Sequence, residues 1–246
     1  MTVINPFHFP EVCHVGQRIA KALFADNGPL TPADRRTFKN EIEEAVCAYV
    51  LKPDNAYLNV WSDGEREYDS LAAIEITLRK TGKAERIAEL FHRTMPYPLL
   101  LALRDETGNV MFSMAEKRIS RDGREQVVIE RMVNTPWQNE TELNTFFPEA
   151  DYPKFRKTTF RDLYEYFMNL LEALCAAAVT GELRTSGIDP EARRKGLEEL
   201  HRLNLELAAI KAQAKQETEL SKLVELNLKA KKLEKAIAEH VAVLSK

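Results

Sequence analysis

The sequence predicts an α/β fold of the α+β kind, with a mixed sheet flanked by helices and a C-terminal long-helix coiled-coil arm. Short apolar segments typical of strands occupy the middle of the chain, and helical apolar periodicity precedes, separates and follows them. No Gly or Pro interrupts residues 197–244, where Leu, Ile and Val recur every three or four positions. We therefore expect an α/β domain over residues 1–183, a linker over 184–196 and a helical coiled-coil arm over 197–246.

Composition limits the class of protein. A chain of 246 residues can bury a sizeable core, and a net charge of −3 argues against a chain-wide nucleic-acid coat. The three cysteines are far apart and no His cluster has zinc spacing, so we expect neither a disulfide framework nor a metal or other cofactor. The start, MTVINPFHFPEV, lacks the pattern of a secretory signal, and no apolar run could span a membrane. These features predict a cytoplasmic protein without membrane contact.

Two helices are predicted near the start of the chain. Apolar residues at helical spacing predict the first over residues 10–26: Val12, Val15, Ile19, Leu23 and Phe24. The second is predicted over residues 31–52, with Thr31 as cap, Pro32 in the first turn and Pro53 at the end. Its apolar stripe is Phe38, Ile42, Val46 and Tyr49.

The middle of the chain predicts the sheet. Alternating or continuous apolar residues predict strands at 56–61, 68–80, 97–104, 110–119 and 127–133, with a helix at 83–95 and a turn over SRDGREQ. YPLLLALR is almost wholly apolar, which indicates a central strand covered on both faces. The alternation in AAIEITLRK predicts that Ile74, Ile76 and Leu78 face the core and that Glu75 lies on the opposite face.

The last third of the chain predicts long helices. An irregular, aromatic-rich segment over 134–158 leads to a strong helix over 159–179, capped by Thr159. Two apolar seams follow: Leu200, Leu203, Leu207, Ile210 and Ala214, then Leu223, Leu226, Ala230, Leu233, Ile237, Val241 and Leu244. The seams are out of phase across KQETELSK, so either one helix carries a stutter or two helices fold back on each other. The lack of a breaker residue favours one long helix, paired most simply in a homodimer.

One set of residues raises the possibility of a metal-dependent nuclease. Such an enzyme needs clustered carboxylates for a divalent metal and a lysine near them. The candidates are Glu44, Asp69, Glu75 and Lys80. Thr77 stands where an acid-x-Lys triplet would need its lysine, and strand alternation places Lys80 on the opposite face from Glu75. We therefore expect no catalytic or metal-binding residues, and keep the nuclease as an alternative.

Basic residues near the C-terminus are the best candidates for nucleic-acid contact: Arg193, Arg194, Lys195, Lys229, Lys231 and Lys232. From residue 191 onward the chain has 12 Lys and Arg against 9 Asp and Glu, which gives +3 and leaves −6 for the rest. Such a contrast can mark a nucleic-acid or partner surface. The competing interpretation is a coiled coil with solvated charged faces. Glu116, Lys117 and Arg118 in MAEKRI are expected to form a solvated strand edge, and His92 a structural helix end.

Several of these segments, in this order, resemble a protein family. They are LTPADRRTFKNEIEEAVCAYVLKPDNAYLNV, IEITLRK before a short helix, HRTMPYPLLLALRDETGNVMFSMAEKRI, and LVELNLKAKKLEKAIAEHV in the tail. The chain resembles the bacterial and archaeal domain of unknown function 4391 family. The resemblance implies a setting beside helicase and DNA-methyltransferase components of restriction or phage-defence modules.

The residues and the resemblance together suggest a function. Our first hypothesis is a non-enzymatic accessory or adaptor subunit of a bacterial DNA-targeting defence or restriction module. It would act through protein–protein contacts along the seam Leu223, Leu226, Leu233, Ile237, Val241 and Leu244. The partner would be a second copy or a helicase- or methyltransferase-type protein. The alternatives are a divergent nuclease of restriction-endonuclease-like type and a DNA-binding adaptor.

Overall fold

The computed structural model describes residues 3–20, 30–120, 127–156 and 158–244. The chain divides into two compact units, Met1–Leu171 and Glu172–Lys246. The first unit contains the sheet and the second contains a pair of long helices. Within the described residues, no helix combines the length and the apolar character that crossing a membrane requires.

A six-stranded mixed sheet organises the first unit, with strand order β1-β2-β5-β6-β7-β8. The strands are β1 (His14–Arg18), β2 (Ile42–Leu51), β5 (Leu71–Leu78), β6 (Leu99–Arg104), β7 (Val110–Ile119) and β8 (Val127–Asn134). Strands β5 and β6 are parallel, and the other neighbours are antiparallel. A separate ribbon pairs β3 (Trp61–Ser62) with β4 (Glu67–Tyr68). The predicted mixed sheet is confirmed, and β6 is its buried central strand.

Seven α-helices are described: α1 (Pro32–Glu41), α2 (Pro53–Ala56), α3 (Ala84–Thr94), α4 (Glu140–Phe146), α5 (Phe160–Thr180), α6 (Pro190–Gln216) and α7 (Leu220–Leu244). Short 3-10 turns occur at Asn5–Phe7, Glu11–Cys13 and Tyr152–Lys154. The predicted caps are correct at two helices. Thr31 and Asp34 form a capping box at α1, and the Thr159 hydroxyl accepts a hydrogen bond from the Asp162 backbone N–H.

Both faces of the sheet are covered. On one face, Ile74, Ile76 and Leu78 belong to the same buried cluster as Ile87 and Phe91 of α3. On the other, the irregular segments at the start and before α5 supply aromatic rings. The Phe7 ring lies 5.7 Å from Phe112, 6.2 Å from Phe146 and 5.6 Å from Phe167. Such edge-to-face contacts add to the apolar burial.

The helix predicted over residues 31–52 is wrong beyond Glu41, where the chain becomes β2. Strand β2 lies between β1 and β5 and bonds to both. Its register against β5 shifts between Ile42 and Glu44 and again between Cys47 and Tyr49. Such bulges insert an extra residue and break the two-residue alternation of a strand. The apolar residues therefore recur at a spacing that resembles a helix.

The helix predicted over residues 10–26 is wrong where it can be compared. Residues 11–13 form a 3-10 turn, and His14–Arg18 form the edge strand β1. Val12 and Val15 are 70% and 44% exposed, so their periodicity marks no buried face. Leu23 and Phe24, the end of that predicted helix, and most of the predicted SRDGREQ turn lie outside the described residues.

The C-terminal region is a pair of helices, so the single long helix is also wrong. Helix α6 ends at Gln216 and α7 begins at Leu220, within the polar stretch where the seams change phase. Glu217 has extended backbone angles, and its carboxylate accepts hydrogen bonds from the backbone N–H groups of Thr218 and Glu219. A side chain therefore makes the break without Gly or Pro. Helix α6 begins at Pro190, inside the stretch expected as linker.

Candidate functional site

The carboxylates considered for a nuclease each have a different partner. Glu44 on β2 lies 3.4 Å from the Arg18 guanidinium, and Asp69 accepts a hydrogen bond from the Ser70 hydroxyl. Glu75 accepts a hydrogen bond of 2.8 Å from the backbone N–H of Ile4, and burial raises its pKa. Lys80 is exposed beyond the end of β5. Among the described residues, no group of three or more His, Cys, Asp or Glu side chains could hold a metal ion.

The six basic candidates differ in their surroundings. Arg193 is buried and donates to the carbonyl oxygen of Arg184 at 3.0 Å. Arg194 lies 3.5 Å from Glu172, and Lys195 lies 2.7 Å from Glu191. The exposed lysines of α7, Lys229, Lys231 and Lys232, form no hydrogen bond or ion pair within the described ranges. Only these three retain an unpaired charge for a ligand.

The apolar seam faces α6 of the same chain. Its residues are half-buried or buried, whereas the positions between them on α7 are mostly exposed. The helices run antiparallel: Lys211 lies 2.7 Å from Glu234, and an added Cβ on Gly196 would lie 2.7 Å from Leu244. The seam residues Leu223, Leu226, Leu233, Ile237, Val241 and Leu244 are therefore covered, wholly or in part, within the helix pair.

A second apolar stripe lies on the outer face of α7. Leu220, Val224 and Leu228 are 75%, 51% and 56% exposed. They are four positions apart, so they follow one another along one side of the helix. Lys231 and Lys235 continue the same side, three and seven positions after Leu228. We call the five residues the outer stripe.

A cavity of about 630 Å³ lies within the first unit, where β6 and β7 separate. The register between these strands ends at Leu101 and Ser113. Beyond it, the buried Tyr164 hydroxyl donates to the Ala115 carbonyl at 2.7 Å and accepts from its N–H at 2.9 Å. The same hydroxyl lies 3.4 Å from the Leu99 carbonyl oxygen. A helix side chain therefore takes the place of strand pairing beside the cavity.

Lys117 of β7 lines this cavity and is 8% exposed. Its amine donates to the carbonyl oxygens of Met95 at 2.8 Å and Tyr97 at 2.7 Å. Among the described residues no carboxylate pairs with it. Burial lowers the pKa of the amine to about 7, because a charged group without a counter-ion is costly in an apolar surrounding. Near neutral pH the amine is therefore partly uncharged.

The remaining wall of the cavity is aromatic and acidic. Tyr68, Tyr97 and Tyr164 line it together with the exposed carboxylates of Glu67 and Asp69. Burial raises the pKa of Tyr68 to about 12, so its hydroxyl stays protonated at neutral pH. A ligand with a planar ring and hydrogen-bond donors would match this lining.

His92 has a serine neighbour that its sequence context did not reveal. Its Nε2 lies 3.1 Å from the Ser113 hydroxyl, and both residues are fully buried. Burial and the nearby Lys117 hold the pKa of His92 well below its usual value, so the imidazole is neutral. Neither residue lines the described cavities with Lys117, so the pair has no access to a substrate. It is a buried polar contact between α3 and β7.

The expectation that MAEKRI forms a solvated edge is wrong for Lys117. Strand β8 pairs with β7 and is the outer strand. Lys117 is two and four positions from Ala115 and Ser113, which are buried. That alternation was visible in the sequence. A single lysine within a charged triplet nevertheless indicates solvent, and the two carbonyls that hold its amine follow α3, 22 and 20 positions earlier.

Comparison with known proteins adds a family. The model of the domain of unknown function DUF4391 matches residues 7–237, which is most of the chain. The chain belongs to the DUF4391 family. The matched residues include most of the sheet unit and most of the C-terminal helix pair. No curated protein and no solved structure matches the sequence.

Proposed function

We propose that this DUF4391 protein is a non-enzymatic accessory subunit of a bacterial DNA-targeting defence or restriction module, acting through contacts of its C-terminal helix pair. The outer stripe is the observation that supports this proposal. Its three apolar side chains are each more than half exposed, although the seam on the opposite side of α7 is covered within the chain. A row of exposed apolar residues along a helix is typical of a surface that binds a helix of a partner protein.

The charges along the outer stripe suggest the chemistry of that partner. Lys231 and Lys235 follow the apolar residues along the same face, and Lys232 lies beside them. A partner helix with apolar residues opposite Leu220, Val224 and Leu228, and with Asp or Glu beyond them, would match both parts. Full burial of each Leu or Val contributes about 1.5–3 kcal/mol, and charge complementarity adds specificity.

The setting implied by the family resemblance suggests which proteins to test. They are helicase- and methyltransferase-type proteins, the kinds that the resemblance leads us to expect in the same module. We expect one of them to co-purify with the tagged full chain after co-expression. Val224→Asp with Leu228→Asp would remove the complex, because two carboxylates would enter an apolar contact. Leu205→Asp is the matched control, since Leu205 of α6 is also exposed, at 59%.

Two outcomes would overturn the proposal. One is a complex that survives the double substitution on α7. The other is the absence of any complex with the neighbouring proteins when the chain is folded by circular dichroism. A homodimer through the outer stripe would appear as a doubled mass in light scattering that the same double substitution returns to the monomer.

A DNA-binding adaptor is the second candidate, favoured by the unpaired charges of Lys229, Lys231 and Lys232. Each phosphate contact releases counter-ions, so binding would fall steeply with salt. We expect the triple Gln variant to weaken binding to duplexes of any sequence in fluorescence anisotropy. Binding that ignores salt, or no binding by the full chain, would remove these lysines as a DNA contact.

A further inference from the structure

We propose that the cavity beside β6 and β7 is a site for a planar aldehyde or ketone, which forms an imine with the Lys117 amine. This inference stands apart from the accessory-subunit proposal, because every residue that carries it belongs to the sheet unit. Three observations support it: a cavity of about 630 Å³, a buried lysine in its wall, and an aromatic and acidic lining.

The hydrogen bonds of the amine hold it in place before the reaction, and both are given up when the imine forms. A neutral amine has two N–H groups and one lone pair. The carbonyls of Met95 and Tyr97 accept at 2.8 and 2.7 Å, so both N–H groups have acceptors. The nitrogen lone pair takes no part in these two hydrogen bonds, so it remains available for attack on a carbonyl carbon. Pro96 and Tyr97, from the segment that holds the amine, also line the cavity.

The lining indicates the kind of carbonyl compound. Tyr68, Tyr97 and Tyr164 offer ring surfaces that suit a planar ligand. Glu65, Glu67 and Asp69 are hydrogen-bond acceptors when ionised, so they suit hydroxyl or amino substituents. Arg118 also lines the cavity but lies 3.4 Å from Glu130, so the three carboxylates disfavour an anionic ligand. The expected ligand is therefore an uncharged or cationic aromatic carbonyl compound.

The reaction is balanced without a cofactor. The nitrogen of the neutral amine attacks the carbonyl carbon, and a carbinolamine forms when the nitrogen proton moves to the oxygen. The hydroxyl then leaves as water together with the second nitrogen proton, and the N–C bond becomes the C=N bond of the imine. Desolvated lysines serve as such nucleophiles in other proteins. The ionisable groups that line the cavity with Lys117 come from four elements: Glu65, Glu67, Tyr68 and Asp69 from the ribbon and its flanks, Tyr97 from the loop after α3, Arg118 from β7 and Tyr164 from α5. His92 of α3 lies near the Lys117 amine.

The experiment uses the full chain with benzaldehyde, which stays uncharged over the pH range tested, as probe and cyanoborohydride to reduce the imine to a stable secondary amine. Peptide mass mapping compares Lys117 with Lys229, an exposed lysine in the same molecule. We expect Lys117 to be labelled at least tenfold faster than Lys229 at pH 8. A pKa of about 7 leaves most of the Lys117 amine neutral there, whereas an ordinary lysine is almost wholly protonated.

The pH dependence of the labelling rate distinguishes a reactive lysine from one that is labelled only because it is exposed to solvent. Labelling of Lys117 should rise around pH 7 and then level off. Val127→Phe narrows the cavity, since Val127 lines it, and should slow labelling of Lys117 alone. Val243→Phe, at an exposed position of α7, is the matched control.

Labelling of Lys117 no faster than that of Lys229 would overturn the inference, as would a Lys117 rate unchanged by Val127→Phe. Lys117→Arg should remove the fast-labelled peptide and leave the others. The comparison between two lysines of the parent requires no variant, so it decides the question even if a substitution at residue 117 prevents folding.

Discussion

The sheet unit and the helix pair bury their apolar side chains to different degrees. In β6 the five residues from Leu99 to Leu103 are at most 1% exposed. In the helix pair Leu200, Leu203, Ala230 and Leu244 are buried, whereas most other seam residues are only half-buried. A two-layer contact between two helices covers one side of each. The sheet unit thus buries its apolar side chains almost completely, whereas the helix pair leaves part of its apolar surface exposed.

The largest test of this difference is a matched pair of truncations. Leu101→Ala in β6 should lower the free energy of unfolding by about 2–5 kcal/mol, because it leaves a cavity in a closed core. Leu233→Ala in the seam should lower it by about 1–2 kcal/mol, since the site is already half open to solvent. Urea denaturation followed by circular dichroism measures both. Equal losses would show that the helix pair is as tightly packed as the sheet.

A second test compares ion pairs. Arg86 of α3 donates to both carboxylate oxygens of the buried Asp34, at 3.0 and 2.9 Å. Arg86→Met should cost about 1–2 kcal/mol, since a buried carboxylate loses its partner while water reaches part of the site. Arg202→Met in α6 should leave stability nearly unchanged, because its pairs with Glu199 and Glu206 are exposed.

The same pair predicts a pH dependence. Hydrogen bonding to Arg86 lowers the pKa of Asp34 to about 2, below the value near 4 of an unfolded chain. The stabilisation that the ionised Asp34 carboxylate gives to the folded state is therefore complete above pH 4 and is lost as the pH falls toward 2. The stability difference between the parent and Arg86→Met should shrink over that interval. A difference that stays constant from pH 5 to pH 2 would contradict this assignment.

A third test uses the buried amine. Because the pKa of Lys117 is lowered to about 7, the unfolded chain binds more protons than the folded chain above that pH. Stability gained from this group should rise between pH 7 and 10 and be constant below pH 7, with a slope of roughly 1 kcal/mol per pH unit near pH 8. The slope should be lower by that amount in Lys117→Met. Urea denaturation of both proteins from pH 7.5 to 8.5 gives the comparison, and the cysteines, whose pKa values burial raises in the folded chain, contribute equally to both proteins.

The smallest expected effect concerns the close approach of the two long helices. A Cβ on Gly196 would lie 2.7 Å from a terminal methyl of Leu244. In a Leu244→Ala background that contact is gone, so Gly196→Ala should stabilise the protein by about 0.5–1 kcal/mol through helix propensity. In the parent the gain should be smaller, because Leu244 must move. Equal effects in the two backgrounds would exclude the contact.

The accuracy of sequence-based prediction differed between elements for physical reasons. Strand β6 and helix α5 have one continuous pattern each, so their type was predictable from the sequence. Strand β2 was predicted as a helix because two bulges altered its spacing, and the pairing with β1 that creates the strand is not local. The break before α7 depends on the side chain of Glu217 and carries no Gly or Pro.

The candidate sites were less predictable than the fold. The sequence indicated the exposed lysines of α7 as possible contacts but gave no indication of the cavity around Lys117. That cavity combines residues from the ribbon, the end of α3, β7 and α5, which are up to about a hundred positions apart. Its key contacts involve the carbonyls of Met95 and Tyr97, and backbone acceptors leave no mark in residue identity.

The hydrogen bonds of the Tyr164 hydroxyl limit where residues can be inserted into the chain. The Tyr164 hydroxyl forms hydrogen bonds with both the N–H and the carbonyl oxygen of Ala115, so it fixes the rotation and the axial position of α5 over the sheet. One residue inserted between Thr159 and Tyr164 would turn the ring by about 100° and shift it by about 1.5 Å. We therefore expect related chains to differ in length before the Thr159 cap or after α5. The number of residues between Thr159 and Tyr164 should stay constant.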